Sequence, residues 1–154
     1  MREIRFRAWD KKRKEIVNIN GSDLYLADGE VHEIYESRFG DQRCMEDTDV
    51  SERYEVMQYT GLKDKNEKEI YEGDVIQFLW EEDSCWGKAG TYKGYIGFND
   101  GAFEVIYIGR EDITTFEDGY WHENSKSDDM QSFISWSEQI EVIGNIYENP
   151  ELLE

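Results

Sequence analysis

Proline is almost missing from this chain. Pro150 stands alone among 154 residues, so turns must be made by Gly, Asn and Asp, and 13 Gly are present to make them. Cysteine and histidine are equally scarce. Cys44 and Cys85 are widely separated, no C-x-x-C occurs, and only His32 and His122 could join them, which excludes a zinc site at motif spacing. No metal or other cofactor is expected. The opening Met1-Arg-Glu-Ile-Arg-Phe-Arg has no apolar segment behind it, so an export signal is not expected, and a cytoplasmic chain keeps its thiols reduced. No uncharged apolar run approaches the ~18 residues of a membrane span, so no membrane partner is expected.

Positive charge is the third shortage. Lys and Arg number 17 against 36 Asp and Glu, a net charge of −19, where a small domain commonly carries about 2–8. Nucleic acid and anionic lipid repel such a chain unless its basic groups cluster. One cluster exists. Residues 1–20 hold seven basic groups against Glu3, Asp10 and Glu15, a net of +4, which leaves 10 basic against 33 acidic groups, a net of −23, on residues 21–154. Lys11, Lys12, Arg13 and Lys14 are therefore a candidate anion-binding or interaction patch. The plainer reading is a solvated hairpin loop that offsets an acidic body. No nucleic-acid partner is expected.

Catalytic signatures are lacking too. There is no G-x-x-x-x-G-K-[ST], no G-x-S-x-G and no H-E-x-x-H. A Ser or Cys nucleophile would have only two His to draw on. Gly87, Gly90, Gly94 and Gly97 alternate with aromatics in strand context, without the helix N-terminus of a phosphate loop. Asp64-Lys65-Asn66-Glu67-Lys68 starts like a calcium loop, but Lys68 takes a ligand position and no Gly follows. The acidic pairs at Glu81-Glu82-Asp83, Glu111-Asp112 and Asp128-Asp129 are what 36 acids produce by composition. No catalytic residue is assigned, and the chain is read as a non-enzyme.

Aromatics, by contrast, are abundant at 14%, which excludes a disordered chain. The apolar pattern has period 2. Ile4 to Ala8 and Glu15 to Ile19 flank the charged loop as a hairpin. Leu24 to Tyr35 reads as short strands around Asp28-Gly29, and 36–53 is polar and poorly patterned. Tyr54 to Tyr59, Val75 to Trp80, Tyr92 to Phe98 and Phe103 to Ile108 are strands, the last pair joined by a tight turn at Asn99-Asp100-Gly101. Two polar loops, 81–90 and 117–130, separate these from Phe133 to Trp136 and Ile140 to Ile146. No stretch of ten residues has clean helical periodicity. The fold class is mainly β. Residues 1–54 form an N-terminal hairpin and irregular segment, and residues 55–154 hold about five short strands that close most economically as a small barrel. Val75, Ile76, Phe78, Ile96, Phe98, Phe103 and Val105 are its expected core. Trp86 and Trp121 lie in acidic, Gly-bearing loops where burial is difficult, which makes them candidate interface residues.

Four segments resemble the YopX proteins of phages and prophages. They are Met1-Arg-Glu-Ile-Arg-Phe-Arg-Ala-Trp-Asp10 with its basic turn, Met57 to Asp64, Ile70 to Val75, and Val142 to Leu152, together spanning both ends and the middle of the chain. One departure is that Glu67 follows Asn66 where the family usually has Gly, which argues against a type I′ turn there. The resemblance implies a Src-homology-3-like barrel in the C-terminal part, self-association, and a place in the cytoplasm of a bacterial host. It brings no catalytic residue or cofactor. The expectation is a non-enzymatic, self-associating interaction protein with a possible host or phage protein partner. The alternative is an acidic, nucleic-acid-mimicking decoy for a host DNA-binding protein.

Overall fold

A computed structural model of the chain describes residues 3–19, 24–27, 30–33, 35–36, 43–44, 50–80, 90–110 and 140–154. Among them the protein is mainly β, as the period-2 pattern predicts, with curled antiparallel sheets that fit a half-barrel and no α-helix. The chain divides into two compact units, residues 1–59 and 60–154.

The first unit is built on the hairpin of β1 (Phe6–Asp10) and β2 (Glu15–Asn18), paired from Arg7 opposite Asn18 to Asp10 opposite Glu15. Two short hairpins follow. They are β3 (Leu24–Ala27) with β4 (Glu30–Glu33), and β5 (Tyr35–Glu36) with β6 (Arg43–Cys44). A 3-10 turn at Ser51–Arg53 leads into β7 (Tyr54–Lys63), whose first residues pair antiparallel along the other side of β1. Alternation puts Phe6 and Ala8 on one face with Val17, Tyr54 and Val56. That face packs with Ile19, Leu24, Leu26, Val31 and Val50 as one core.

The second unit holds the rest of β7, then β8 (Glu69–Tyr71), β9 (Asp74–Trp80), β10 (Gly90–Asn99), β11 (Ala102–Arg110) and β12 (Glu141–Asn145). Its main sheet has the order β11-β10-β9-β12. Register slips at Lys93/Gly94 and Val142/Gly144 bend the sheet. Ile70, Ile76, Phe78, Ile96, Phe103, Val105, Ile140 and Val142 form the buried core, with Leu62, Tyr92 and Tyr107 against it. Val75 is fully buried, although alternation places it on the sheet face opposite Ile76.

Phe98 departs from expectation. Its alternation predicts a core position, but the side chain is 49% exposed. β9 pairs with β10 only as far as Tyr95, so the last turn of the β10–β11 hairpin projects beyond its neighbour. There Phe98 meets Phe103 edge-on at 5.1 Å. The Asn99-Asp100-Gly101 turn forms as read, with φ of +49° at Asp100 and +84° at Gly101.

Candidate functional site

The basic patch sits where the pattern placed it, on the turn between β1 and β2, and Lys11, Lys12, Arg13 and Lys14 are all exposed. The turn is fixed by the residue before it. Asp10 is completely buried, and one carboxylate oxygen accepts the backbone N–H of Lys12 at 2.8 Å and of Arg13 at 3.0 Å. The Lys14 N–H closes the loop onto the Asp10 carbonyl at 2.7 Å, and Lys14 takes a left-handed φ of +60°. Asp10 is in turn gripped by Arg53, which donates to both carboxylate oxygens. Arg53 donates a third bond, 2.6 Å, to Glu33, which also accepts the Tyr54 hydroxyl at 2.7 Å. The Arg53 guanidinium holds the Asp10 carboxyl down at about 2, with the loop amides adding to the effect. The same bond to Asp10 raises Arg53. Burial, reinforced by the bond to Glu33, pushes the Tyr54 phenol up.

Two of the four basic side chains are spent within the unit. Lys11 reaches Glu55 at 2.7 Å and the Glu52 carbonyl at 3.0 Å. Arg13 lies near Asp10 and Glu15 at 3.8 and 3.7 Å. Lys12 and Lys14 have no ion pair among the described residues. Trp86 and Trp121 lie outside the described residues. So do Gly87, Cys85 and His122, the acidic groups at 81–83, 111–112 and 128–129, and the segment Phe133 to Trp136.

In the second unit the polar clusters are equally self-contained. Asp64 opens the β7–β8 turn. One of its oxygens accepts N–H groups of Asn66 at 2.8 Å and Lys68 at 2.9 Å, and the other accepts that of Val142 at 3.0 Å. Burial pushes its carboxyl up, but the three backbone donors outweigh this and hold it below the usual carboxylate range. The oxygens that a calcium loop would offer are thus already engaged. Glu67 does adopt a positive φ, +63°. Asn66 does not, so the turn is not type I′, which requires positive φ at two central residues. The Glu67 N–H bonds the Asp64 carbonyl at 3.0 Å, giving a type I turn ending in one left-handed residue.

A second cluster ties β9 to β12. Asp74 accepts the Tyr71 N–H at 2.9 Å and the Asn145 amide at 3.2 Å. Asn145 accepts the Tyr147 N–H at 3.0 Å, and its own N–H points to the Asn149 side chain at 3.3 Å. Gly73, at φ +76°, donates to the Ile96 carbonyl and accepts from Ile146. Gly94 allows another close approach, because a Cβ there would sit 2.7 Å from Val105 and 2.9 Å from the Ile106 carbonyl oxygen. Gly94 thus serves the close packing of β10 on β11.

The family model described as "YopX protein" matches residues 5–154. The chain belongs to the YopX family. Among solved structures it is similar to the crystal structure of protein EF1440 from Enterococcus faecalis, at 28% identity over 100% of both chains, with a TM-score of 0.48. No curated protein matches it. In this YopX-family chain the segments that carry the resemblance hold the structural anchors. Asp10 lies in the first, Asp64 in the second, Gly73 and Asp74 in the third, and Asn145 and Asn149 in the last.

Reading the sequence missed Asp10, Arg53, Glu33 and Tyr54 as one cluster. The one signal available was an Asp at the end of a strand directly before a loop, the position from which a carboxylate caps loop amides. Nothing in the spacing links Glu33 to Arg53. Among the described residues no group of three His, Cys, Asp or Glu side chains is placed to hold a metal ion. No helix of them is long and apolar enough to cross a membrane.

Proposed function

We propose that this chain is a non-enzymatic, self-associating interaction protein of a phage or prophage, working in the cytoplasm of its bacterial host. The observation that carries this reading is how its buried carboxylates are spent. Asp10, Asp64 and Asp74 each accept backbone N–H groups, and Asp10 also holds Arg53. A general base needs a lone pair facing substrate and a pKa near working pH. Asp10 and Asp64 are pushed the opposite way. Among the described residues the chain presents outward an anchored basic turn and the exposed apolar side chains of Ile4, Leu79, Phe98 and Leu153.

Sedimentation velocity at two ionic strengths tests the reading. Association that weakens with salt and is lost in Lys12→Glu/Lys14→Glu assigns the contact to the basic turn. Salt-insensitive association lost in Trp86→Ala/Trp121→Ala assigns it to the tryptophans. A monomer at high concentration in both buffers refutes self-association. A second reading, an acidic decoy for a host DNA-binding protein, is favoured by the net −23 of residues 21–154. It requires a bound host protein that duplex DNA competes away.

A further inference from the structure

We propose that the β7–β8 turn is an autoinhibitory cap: Asp64 and Lys65 occupy the backbone groups at β12 through which the second unit would otherwise pair with a second copy of this chain. Among the described residues β12 is the last strand on its side of the sheet β11-β10-β9-β12. An edge strand offers a row of N–H and C=O groups to any other strand. Four such groups of β12 and the residue before it are met, and none of them by a strand. The Ile140 carbonyl accepts the Lys65 N–H at 2.9 Å, and the Val142 N–H donates to Asp64 Oδ2 at 3.0 Å. Asn149 takes both groups of Asn145. Its Oδ1 faces the Asn145 N–H at 3.3 Å, and its own N–H donates to the Asn145 carbonyl at 2.8 Å.

The Asn149 part of the cap is a local turn. The Asp64 part comes from 78 residues away and is held firmly. The other Asp64 oxygen accepts the N–H groups of Asn66 and Lys68, and the Lys65 ammonium pairs with Glu141 at 2.5 Å. Glu141 lies opposite Gln77 of β9, so the backbone groups of Ile140 and Val142, one residue to either side, face away from β9. Once freed, these groups are self-complementary. In an antiparallel pair of two β12 edges centred on Glu141, the Val142 N–H of each copy meets the Ile140 carbonyl of the other. One force opposes the pair, because Glu141 then stands directly opposite its own counterpart. Moderate salt screens that repulsion. The turn thus closes an edge that two copies of the chain fit.

Sedimentation velocity and hydrogen exchange of the Val142 amide test the cap on the full chain, at moderate salt and two protein concentrations. A cooperative thermal melt shows that each variant folds. Asp64→Ala deletes the carboxylate. Lys65→Pro is the second variant and decides the matter if Asp64→Ala does not fold. Lys65 is the second residue of the type I turn, where proline is favoured, so the turn itself survives. The proline ring replaces the hydrogen that bonds Ile140, which pushes the turn off the edge. Both variants are expected to form a species larger than wild type as concentration rises. At the lower concentration Val142 in Asp64→Ala is expected to exchange about tenfold faster than in wild type, since a bond to a charged acceptor is gone. At the higher concentration its protection should return, because a second copy supplies the acceptor. A folded Lys65→Pro variant that sediments as wild type does, or Val142 exchange in Asp64→Ala that ignores concentration, overturns the cap. Each measurement reads a difference from wild type. Failure of the cap therefore leaves association through the basic turn or the tryptophans untouched, and a monomeric wild type leaves the cap standing.

Discussion

Replacing Asp10 by Asn removes one charge from the cluster that organises the basic turn while keeping the side-chain shape. The carboxyl lies at about 2 in the folded chain against an ordinary 3.8. A gap of roughly two units, at about 1.36 kcal/mol each, corresponds to about 2.5 kcal/mol of stabilisation. The rim of the cluster is wet, since the Arg53 side chain is 23% exposed and that of Arg13 65%. Screening reduces the figure to about 1–2 kcal/mol. The folded value is the depressed one, so between about pH 4 and pH 2 the unfolded chain binds a proton that the native chain refuses. The stabilisation is complete above the unfolded value and is lost as pH falls through the folded one. Urea titrations of wild type and Asp10→Asn at pH 7, 4 and 3 measure this directly. The variant is expected to be weaker by about 1–2 kcal/mol at pH 7, and the difference should close steadily towards pH 2–3. Asp64, also depressed, leaves a residual slope of the same sign in the variant. Equal stability at pH 7, or parallel pH profiles, would falsify the assignment of Asp10 as the charged anchor of the turn.

Three further outcomes are expected. Gly144→Ala would place a Cβ 2.5 Å from Leu152 Cδ1 and 2.7 Å from Asn149 Oδ1, so both side-chain ends must shift and the Asn149 side chain is pushed from the Asn145 N–H it accepts at 3.3 Å. A loss of about 1 kcal/mol is expected, and Gly144→Ala/Leu152→Ala should lose less than the two single variants summed, since removing the Leu152 side chain relieves that contact. Glu67→Gly relieves a left-handed residue whose cost is roughly 1–2 kcal/mol. It gives up the exposed Lys63 contact at 3.2 Å and some unfolded-state entropy, so a net gain of about 0.5 kcal/mol is expected, and a lower melting temperature would contradict the strain. Raising salt from low to moderate should raise the melting temperature, because a chain of net −19 repels itself and the Debye length shrinks to ~10 Å at 0.1 M. A flat or falling series would count against that, and the same chain should leave labelled duplex DNA unretarded at physiological salt.

The amino-acid order alone determined the β character of this protein. Period-2 alternation in β1, β7, β9, β10 and β11, with Gly, Asn and Asp between them, leaves no helical face to bury. It also located the basic turn and the Asp100-Gly101 hairpin, because a turn is set by the few residues that form it. Buried positions were legible for Ile76, Phe78, Ile96, Phe103 and Val105, whose alternation matches the face that packs as the core. Phe98 was misread for a reason that no local pattern holds. Its alternation is that of a core residue, but burial depends on whether β9 extends far enough to cover it, and β9 pairs only to Tyr95. The cluster of Asp10, Glu33, Arg53 and Tyr54 was equally invisible, since its members meet across separations of 20 to 43 residues. Tertiary structure likewise decided the role of the family motifs. Asp64 meets Val142 across 78 residues and Asp74 meets Asn145 across 71. Sequence identifies such residues as polar, but only the folded chain brings each buried carboxylate to the distant N–H that makes its burial tolerable.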